Sequence, residues 1–524
     1  MTSPASKPSL HEVALGCFLH DIGKLLQRAG GSQANLPLEV RARASDILPA
    51  WQGRHTHIHA LWTDLFFDRH PTVFPAGINA ANVRRVAVYH HKPDSPWSEL
   101  CTMADHIASG MDRKAKDEET DPTLQEPKGW DAFIKTPLHS CYSSVRLPVG
   151  QISDPPSSAA DMIVPLAALD PSTPLFPFKR SPAESEKLPA QYKRLGDQLA
   201  AQLNRLAEAK SELGIPVFCE TMISLSERFL SAVPSSTRDQ PDISLHDHAR
   251  ATAAVGAALY AFHEKRGTLE DRAAIRQGGE KKFVWVAGDL SGIQSSLFRL
   301  ASQQVRGVNK ILRARSFLIA MLLEAALLEC RRALGLTVFS TLQNAGGRFL
   351  LLAPDNPGVA DAIAGVRRAF EPWLWNRYTG EVALNLAVSD AFAPHDLKLD
   401  RFRATLALAE QALGLSKLKA FSEVPDPVHR QDYSLHGACR ACEIRPGTEL
   451  RQEDDFRCAT CDDEERLGSD LPKSAAIAWT RNTHPAHGKF IAYPAGLRLG
   501  WMPEPPASTR DMESFFQIYE KGET

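Results

Sequence analysis

A histidine and an aspartate lie side by side near the amino end of the sequence, in the motif Phe18-Leu19-His20-Asp21-Ile22-Gly23-Lys24. Imidazole nitrogens and carboxylate oxygens are ligands for Mn, Fe, Ni or Zn, and an aspartate between two ions can bridge them. Two bound ions lower the pKa of a water molecule and orient it towards phosphorus. More residues of these two types follow: His55, His57, His59, His90, His91, Asp105 and His106. The pattern therefore favours a metal site that hydrolyses phosphodiesters.

The alternative interpretation is that these histidines are surface or core residues of a helical bundle. A lone His-Asp pair would favour that alternative. Here the His20-Asp21 pair is followed by Gly-Lys, and we expect the whole motif on an apolar helix. The His90-His91 pair is expected on a second helix, Val83 to His91. Asp105 is expected on a third helix. The combination favours metal binding, and Lys24 would then lie near a phosphate group.

Four of the nine cysteines form two CxxC pairs, with fifteen residues between the pairs. They are Cys439, Cys442, Cys458 and Cys461. This spacing is typical of a tetrahedral zinc site, and four thiolates leave no open coordination position. We therefore predict a structural zinc ion, with reduced, metal-free cysteines as the alternative.

A glycine-containing segment, Gly288-Asp289-Leu290-Ser291-Gly292-Ile293-Gln294, follows a short apolar run and precedes a helical pattern. Backbone N–H groups at such a turn can contact a phosphate, which makes Gly288, Asp289 and Ser291 candidate nucleotide-binding residues. The alternative is a helix start capped by Asp289 or Ser291.

A basic strip follows this segment, because residues 299–316 hold five basic residues and no acidic one. Such a strip suits a nucleotide or an RNA backbone, whereas a solvated helix face is the alternative. The candidate nucleic-acid-binding residues are Arg306, Lys310, Arg313 and Arg315.

Composition limits the class of protein. The chain has 524 residues, 60 Lys and Arg against 62 Asp and Glu, and 43% hydrophobic residues. This length predicts about three or four domains, and the composition excludes a largely disordered chain. No stretch resembles a membrane span, and the polar Met1–Leu10 lacks a signal peptide's apolar region. We therefore expect a soluble, cytoplasmic protein that does not bind membranes.

Hydrophobic periodicity predicts helices at residues 11–112 and 190–264. From Lys281 the order is strand, helix, hairpin, helix and strand, the order of a ferredoxin-like βαββαβ unit. Its predicted strands are Phe283–Ala287, Thr337–Ser340, Arg348–Leu352 and Val382–Val388. We expect a multidomain α and α+β protein with six segments: a helical domain (1–113), an irregular connector (114–189), a helical linker region (190–280), the ferredoxin-like domain (281–425), the cysteine module (426–475) and the start of a following linker domain (476–524).

The histidine motif resembles the signature of the HD superfamily of metal-dependent phosphohydrolases. The segments GDLSGIQ (288–294), LRARSFL (312–318) and NAGGRFLLL (344–352) resemble the first palm domain of the large subunit of type III CRISPR-Cas effector complexes, the Cas-ten or Csm-one family. Residues 234–237 and 242–248 resemble the stretch before that palm in the type III-A branch. The resemblance covers Phe18 to about Ser474, with the motifs in the family's order and a cysteine-rich insertion at the same place.

The resemblance implies that residues 1–113 are an HD-type nuclease domain that cuts single-stranded DNA once the complex has bound target RNA. It implies catalytic roles for His20, Asp21 and Lys24, whereas His246 and His248 are interpreted as structural residues. It also makes Gly346 and Gly347 candidate nucleotide-binding residues of the first palm. The implied metal ligands are His20, Asp21, His59, His90, His91 and Asp105.

One family motif has no counterpart in the sequence. The family synthesises cyclic oligoadenylates with a Gly-Gly-Asp-Asp turn in a second palm domain, and no such run occurs in the 524 residues. We therefore expect ATP and Mg²⁺ to bind only if a second palm is supplied. A partial sequence, a second polypeptide and the loss of this activity remain alternatives.

The leading hypothesis is a metal-dependent single-stranded DNA nuclease with Mn²⁺, Ni²⁺ or another divalent ion at the HD site and structural Zn²⁺ at the cysteines. The expected partners are the other subunits of a type III-A complex, guide crRNA, target RNA and single-stranded DNA. An inactive scaffold subunit and a free-standing HD phosphohydrolase are the competing hypotheses.

Overall fold

The computed structural model describes residues 7–112, 132–144, 162–170, 172, 175–237, 241–298, 307–426, 431–452, 455–483 and 489–517. They form two compact units. The first unit comprises Met1–Lys282 and Phe392–Thr405, and the second comprises Phe283–Ala391 and Leu406–Thr524. The prediction of a multidomain protein of helices and sheets is confirmed, whereas the division into six segments stays a prediction.

The first unit is largely helical. Its helices are α1 (Leu10–Leu19), α2 (Ile22–Gly30), α3 (Leu38–Ala42), α4 (Ala44–Ile47), α5 (His59–Arg69), α6 (Ala80–Val88), α7 (Pro96–Asp112), α8 (Ala132–Lys135), α9 (Pro182–Ala209), α10 (Ile215–Leu230), α11 (Leu245–Arg266) and α12 (Arg272–Arg276). Two short antiparallel pairs accompany them: β1 (Ala50–Trp51) with β2 (Arg54–His55), and β3 (Met162–Ile163) with β4 (Phe178–Lys179).

Helix α1 is the centre of this unit and packs against α6, α7 and α11. A capping box starts it, in which the Ser9 hydroxyl accepts from the Glu12 backbone and the Glu12 carboxylate accepts from the Ser9 backbone. Glycine allows the close approach of α11, because a Cβ on Gly256 would lie 2.5 Å from Sγ of Cys17. The apolar sequence of α1 is therefore explained by burial on several sides.

The second unit contains two four-stranded sheets and one two-stranded sheet. Its elements are β5 (Phe283–Ser291), α13 (Ile293–Phe298), α14 (Val308–Leu334), β6 (Thr341–Ala345), β7 (Arg348–Pro354), α15 (Val359–Tyr378), β8 (Ala383–Val388), α16 (Leu399–Lys417, which begins in the first unit), β9 (Glu449–Gln452), β10 (Asp455–Arg457), α17 (Ala459–Asp470), β11 (Ala476–Arg481), β12 (Lys489–Ala492), β13 (Leu497–Met502) and β14 (Met512–Gln517).

The first sheet has the antiparallel order β6-β7-β5-β8, with Trp285 opposite Leu352 and Gly288 opposite Leu386. The predicted strand at Thr337–Ser340 is wrong. Val338–Ser340 forms a 3-10 turn, and β6 begins at Thr341, where pairing with Leu351 starts. Phe339 is buried in this turn, and burial gives the segment its strand-like sequence.

The second sheet has the antiparallel order β12-β13-β11-β14 and lies in the segment predicted to start a following domain. Trp479, Leu497 and Trp501 from this sheet share one hydrophobic core with Val286 and Leu351 of the first sheet. Residues 476–517 therefore belong to the second unit. Among the described residues, no helix is long and apolar enough to cross a membrane.

Candidate metal centres

His20 and Asp21 lie at a break between two helices. The prediction that they lie on one helix is wrong, because α1 ends at Leu19 and α2 starts at Ile22. Both side chains are almost completely buried. Because α1 ends before His20, Nε2 of the His20 ring lies 3.3 Å from Oδ2 of Asp21.

Gly23 explains how α5 reaches this break. A Cβ on Gly23 would lie 2.1 Å from the carbonyl oxygen of His59, so only glycine allows α2 and α5 this approach. Thr63 fixes the contact: its hydroxyl donates to the carbonyl of His20 and accepts from the N–H of Gly23. As a result, Nε2 of His59 lies 3.1 Å from Oδ1 of Asp21.

Four of the predicted ligands form a first cluster, whose ligand atoms all lie within 4.8 Å of one another. They are Asp21, His59, His90 and His91. His90 Nε2 lies 3.9 Å from Asp21 Oδ1, and the Nε2 atoms of His59 and His91 are 3.0 Å apart. The predicted helix at Val83–His91 is too long, because α6 ends at Val88 and the two histidines follow it.

The remaining two predicted ligands form a second cluster together with a histidine that was interpreted from the sequence as a structural residue. Its members are His20, Asp105 and His248, again within 4.8 Å. His248 Nε2 lies 3.1 Å from Asp105 Oδ1 and 3.6 Å from Asp21 Oδ2. The sequence feature that could have identified His248 as a ligand is its position in the first turn of α11, a helix whose other buried residues are mostly small and apolar. His246 instead contacts the hydroxyl of Ser226.

The ring orientations leave ligand atoms without a hydrogen bond. Nδ1 of His20 lies 2.7 Å from the carbonyl oxygen of Cys17, and Nδ1 of His90 lies 2.6 Å from that of Ala87. Donation from Nδ1 places the lone pair of each ring on Nε2. Within the described residues, both Nε2 atoms and Asp21 Oδ1 are buried and make no hydrogen bond. Buried polar atoms of native proteins rarely lack partners, so this set fits divalent metal ions.

The electrostatics favour a positive charge between the carboxylates. Burial disfavours protonation of His20, but Asp21 and Asp105 outweigh it and raise its pKa to about 10. Burial likewise opposes ionisation of Asp21, yet Lys24 and His20 hold its pKa well below the usual range. At His90 burial, together with the neighbouring His20, outweighs the two carboxylates and lowers the pKa to about 3, which keeps the ring neutral.

The clusters open on a cleft of about 1280 Å³. Asp21, His59, His91 and Asp105 all line it. Lys24 lines it too, with its ammonium nitrogen 2.5 Å from Asp21 Oδ2 and 2.8 Å from the carbonyl oxygen of Ser235. Other lining residues, in the same unit, are His55, Thr56, His57, His106, Phe133, Lys398 and Asp400. The Asp21 and Asp105 carboxylates therefore lie at the wall of a cleft that opens to solvent.

The four predicted cysteines meet in the second unit, buried and with their sulfurs within 4.8 Å of one another. Cys458 caps α17, where its sulfur accepts from the backbone of Cys461. Two buried arginines contact the sulfurs: Arg445 Nε lies 3.3 Å from Cys458 Sγ, and an Arg315 nitrogen lies 3.4 Å from Cys461 Sγ. Four thiolates with cationic neighbours fit a closed zinc site.

The predicted phosphate-binding turn is wrong in its position. Gly288, Asp289 and Ser291 lie within β5, and the turn comes at Gly292. Asp289 makes ion pairs with Arg348 and with Lys417. A Cβ on Gly288 would lie 2.2 Å from the ring of Phe349, so this glycine allows packing inside the sheet.

Gly346 and Gly347 form the β6–β7 turn and both have positive φ. The carbonyl of Gly347 accepts from the N–H of Leu290 in β5, and the next residue of that strand, Ser291, accepts through its hydroxyl from the Asn385 amide. These contacts position the hairpin and the strand, and a nucleotide role for the glycines stays a prediction.

The basic strip is only partly at the surface. Arg306 lies outside the described residues. Lys310 is exposed and lies 3.9 Å from Glu465, whereas Arg313 donates to the carbonyl of Gly468. Arg315 is buried and paired with Glu464 at 2.8 Å, so it does not belong to an exposed strip.

Comparison with known proteins adds family evidence. The family model described as Csm1 subunit domain B matches residues 282–432. Two curated relatives bear the description "CRISPR system single-strand-specific deoxyribonuclease Cas10/Csm1 (subtype III-A)". The protein from Mycobacterium tuberculosis is 26% identical over 498 residues, covering 89% of this chain and 55% of the relative. The protein from Thermococcus onnurineus is 27% identical over 486 residues, covering 88% and 54%.

Solved structures share the fold. A crystal structure of a Csm1–Csm4 subcomplex of a type III-A interference complex has a TM-score of 0.57 at 21% identity, covering 94% of this chain and 55% of the other. A Csm1–Csm4 cassette in complex with AMPPNP has a TM-score of 0.55, with the same identity and coverage. The chain thus spans about half the length of the relatives that it matches.

Proposed function

We propose, from the premise that this chain is of the Cas10/Csm1 type of type III-A CRISPR systems, that its first unit cleaves single-stranded DNA with two divalent metal ions. One observation carries the proposal: buried ligand atoms of His20, His90 and Asp21 that make no hydrogen bond within the described residues converge where carboxylates line an open cleft. The curated relatives are named single-strand-specific deoxyribonucleases, which supports the same reaction.

The proposed ligand sets share Asp21. Its Oδ1 faces His59 and His90, and its Oδ2 faces His20 and His248, so one carboxylate would bridge two ions. His91 would complete the first set and Asp105 the second. Divalent ions held in this way would supply Lewis-acid activation of water and of the scissile phosphate.

The protein groups around the ions have separate tasks. The Cys17 and Ala87 carbonyls hold the rings of His20 and His90 in the tautomer that presents Nε2. Lys24 neutralises part of the Asp21 charge and offers a cation to a phosphate in the cleft. Backbone contacts of this kind carry no base sequence, so we propose that guide RNA in partner subunits supplies the specificity.

For the second unit we propose a ferredoxin-like palm with a structural zinc module. The βαββαβ order of β5 to β8 supports the palm, and the buried cluster of four cysteines supports the zinc. ATP with Mg²⁺ would bind only with a second palm that carries paired carboxylates. We propose a Csm4-type subunit, guide crRNA and target RNA as partners.

The test is cleavage of labelled single-stranded DNA by the purified chain with Mn²⁺. We expect cleavage by the natural chain and none by His20→Ala/Asp21→Ala. Asp400→Asn is the matched control, because Asp400 lines the same cleft outside both clusters. If all three proteins are inert, alone and assembled with guide RNA, target RNA and partner subunits, the nuclease proposal is wrong and a scaffold role replaces it.

A further inference from the structure

A short hairpin, β1 with β2, leads directly into the wall of the cleft. Its two pairs are Ala50 with His55 and Trp51 with Arg54. All residues from Ala50 to His55 are exposed, and Trp51 is 70% exposed. The residues that follow, from His55 to His59, line the cleft. A large aromatic side chain is thus presented to solvent beside the candidate metal centre.

The hairpin has a defined shape. Both turn residues, Gln52 and Gly53, have positive φ, as in the tight type I′ turn of two-residue hairpins. At its base the N–H of Thr56 donates to the carbonyl of Pro49 at 3.0 Å. The His57 ring then packs against the ring of His91 in the first cluster, with ring centres 4.0 Å apart. The hairpin that carries Trp51 is therefore connected to the first cluster by the short segment from His55 to His57.

The distances suit a nucleotide chain. Arg54 and His57 are three residues apart, and because even a fully extended chain advances only about 3.3 Å per residue, the Trp51–Arg54 pair and His57 are separated by at most about 10 Å along the chain. A hairpin of two pairs is not stable by itself in water, and its exposed indole contributes nothing to the core. The exposed indole is therefore available to a ligand.

The surroundings of Trp51 favour a nucleic acid over a protein partner. Its hairpin neighbours are polar or small, and Arg54 stands opposite it. A protein interface requires a larger apolar core than one side chain. An isolated aromatic ring next to a cation is instead the usual platform for an unpaired base and its phosphate. Lys398 adds an exposed ammonium group to the cleft wall.

We propose that Trp51 stacks on a base of single-stranded DNA and that Arg54 contacts the adjoining phosphate, which holds the strand as it enters the cleft. This inference rests on the proposed nuclease function for the identity of its ligand. It adds a residue that positions the substrate without touching the reacting phosphate.

The first arm of the test measures binding without cleavage. A fluorescein-labelled oligothymidylate is titrated by anisotropy against the full chain carrying His20→Ala/Asp21→Ala, with and without Trp51→Ala. Removing one base–aromatic stack should weaken binding about 5- to 100-fold, and Trp51→Phe should restore most of it. Tyr142→Ala is the matched control, because Tyr142 is 77% exposed in the same unit and does not line the cleft. An oligonucleotide of abasic sugars has no base to stack on the indole, so it should bind equally to the proteins with and without Trp51→Ala.

The second arm measures cleavage with the natural metal site. Trp51→Ala should lower kcat/KM for the oligonucleotide through KM, while hydrolysis of bis(4-nitrophenyl) phosphate stays unchanged. Equal binding by Trp51→Ala and its parent overturns the inference, and so does a defect confined to assembly with partner subunits. Binding that depends on Trp51 in a chain that cleaves neither substrate supports the inference and contradicts the nuclease proposal.

Discussion

The two kinds of ligand cluster in this chain differ in donor chemistry and in access. The histidine–aspartate clusters combine imidazoles with two carboxylates and line a cleft. The cysteine cluster has four sulfurs, all buried. An ion in the first environment has room for water and substrate, whereas four thiolates fill the coordination shell of zinc. Access and donor type therefore distinguish the centre that we propose to be reactive from the one that we propose to be structural.

The groups that make hydrogen bonds to the ligands also differ between the two kinds of cluster. Backbone carbonyls accept from Nδ1 of His20 and His90, which keeps Nε2 available. In the cysteine cluster Arg445 and Arg315 donate to sulfur and offset the negative charge of the thiolates. Both arginines also pair with glutamates, so the cluster is held inside a wider set of ion pairs.

The largest expected effect is on the cysteine cluster. Cys439→Ser should remove the zinc and lower the unfolding temperature by about 10 °C or more, because binding energy of a structural zinc is folding energy. Zinc is measured by mass spectrometry and unfolding by calorimetry. Cys330→Ala is the control, since Cys330 is buried in the same unit outside the cluster. Full zinc content in Cys439→Ser would contradict the assignment.

The next effect separates the two kinds of cluster. Asp21→Asn should abolish binding of the two ions proposed for the first unit and lower DNA cleavage by about 1000-fold or more, because the carboxylate charge that faces both clusters is lost. The thiolate zinc should stay. Metal content measured beside cleavage checks both expectations, and two retained ions in an inactive variant would argue against the bridge.

A matched pair of histidines tests the second cluster. His248→Gln should remove one ion equivalent and lower activity about 10- to 100-fold, because His248 faces Asp105. His246→Gln changes the same helix two residues away, where the ring contacts Ser226, and should retain both ions. Isothermal titration with Mn²⁺ distinguishes them. Equal losses in the two variants would mean that packing of α11, not ligation, is responsible.

A smaller effect concerns the charge around the thiolates. Arg445→Met should speed the transfer of zinc to a chelator about 10-fold, because a donor to sulfur is removed. Arg440→Met, an exposed arginine of the same loop, should have no effect. The rate is followed with a coloured zinc chelator, and an unchanged rate would show that the thiolates need no cationic neighbour.

The smallest effect tests a buried histidine outside the clusters. Burial, with Arg180 nearby, lowers the pKa of His139 to about 4, and its ring makes no hydrogen bond within the described residues. Between pH 6.5 and 4 the unfolded chain binds the extra proton, so stability is lost as pH falls. His139→Phe should reduce this loss by about 1–2 kcal/mol. Urea unfolding of metal-free protein at pH 7.5 and 5.0 measures it; parallel pH dependences would disprove the assignment.

Local motifs explain what could be predicted from the sequence. The His20-Asp21 pair and the two CxxC pairs are short, so the members of each pair are close in any fold. Periodicity located most of β5, β7, α15 and β8. The strand at Thr337–Ser340 was wrong, since burial in a turn and burial in a strand select similar residues.

The positions of buried charges could not be predicted. Arg315 looked like part of an exposed basic strip, yet it lies beside Glu464 and the cysteines. Asp289 looked like a helix cap, yet it lies inside a strand between two cations. Each partner is distant in sequence, and nothing in the local pattern identifies it.

The sequence by itself determined the ligand types, the closed zinc spacing and the family resemblance, because these depend on residue identity over short spans. Only the tertiary structure decided that His248 joins Asp105 and that Asp21 faces two clusters. The packing of α11 and α7 against α1 brings these residues together across more than a hundred positions. Long-range packing of this kind is set by the fit of whole helix surfaces, which no single motif encodes.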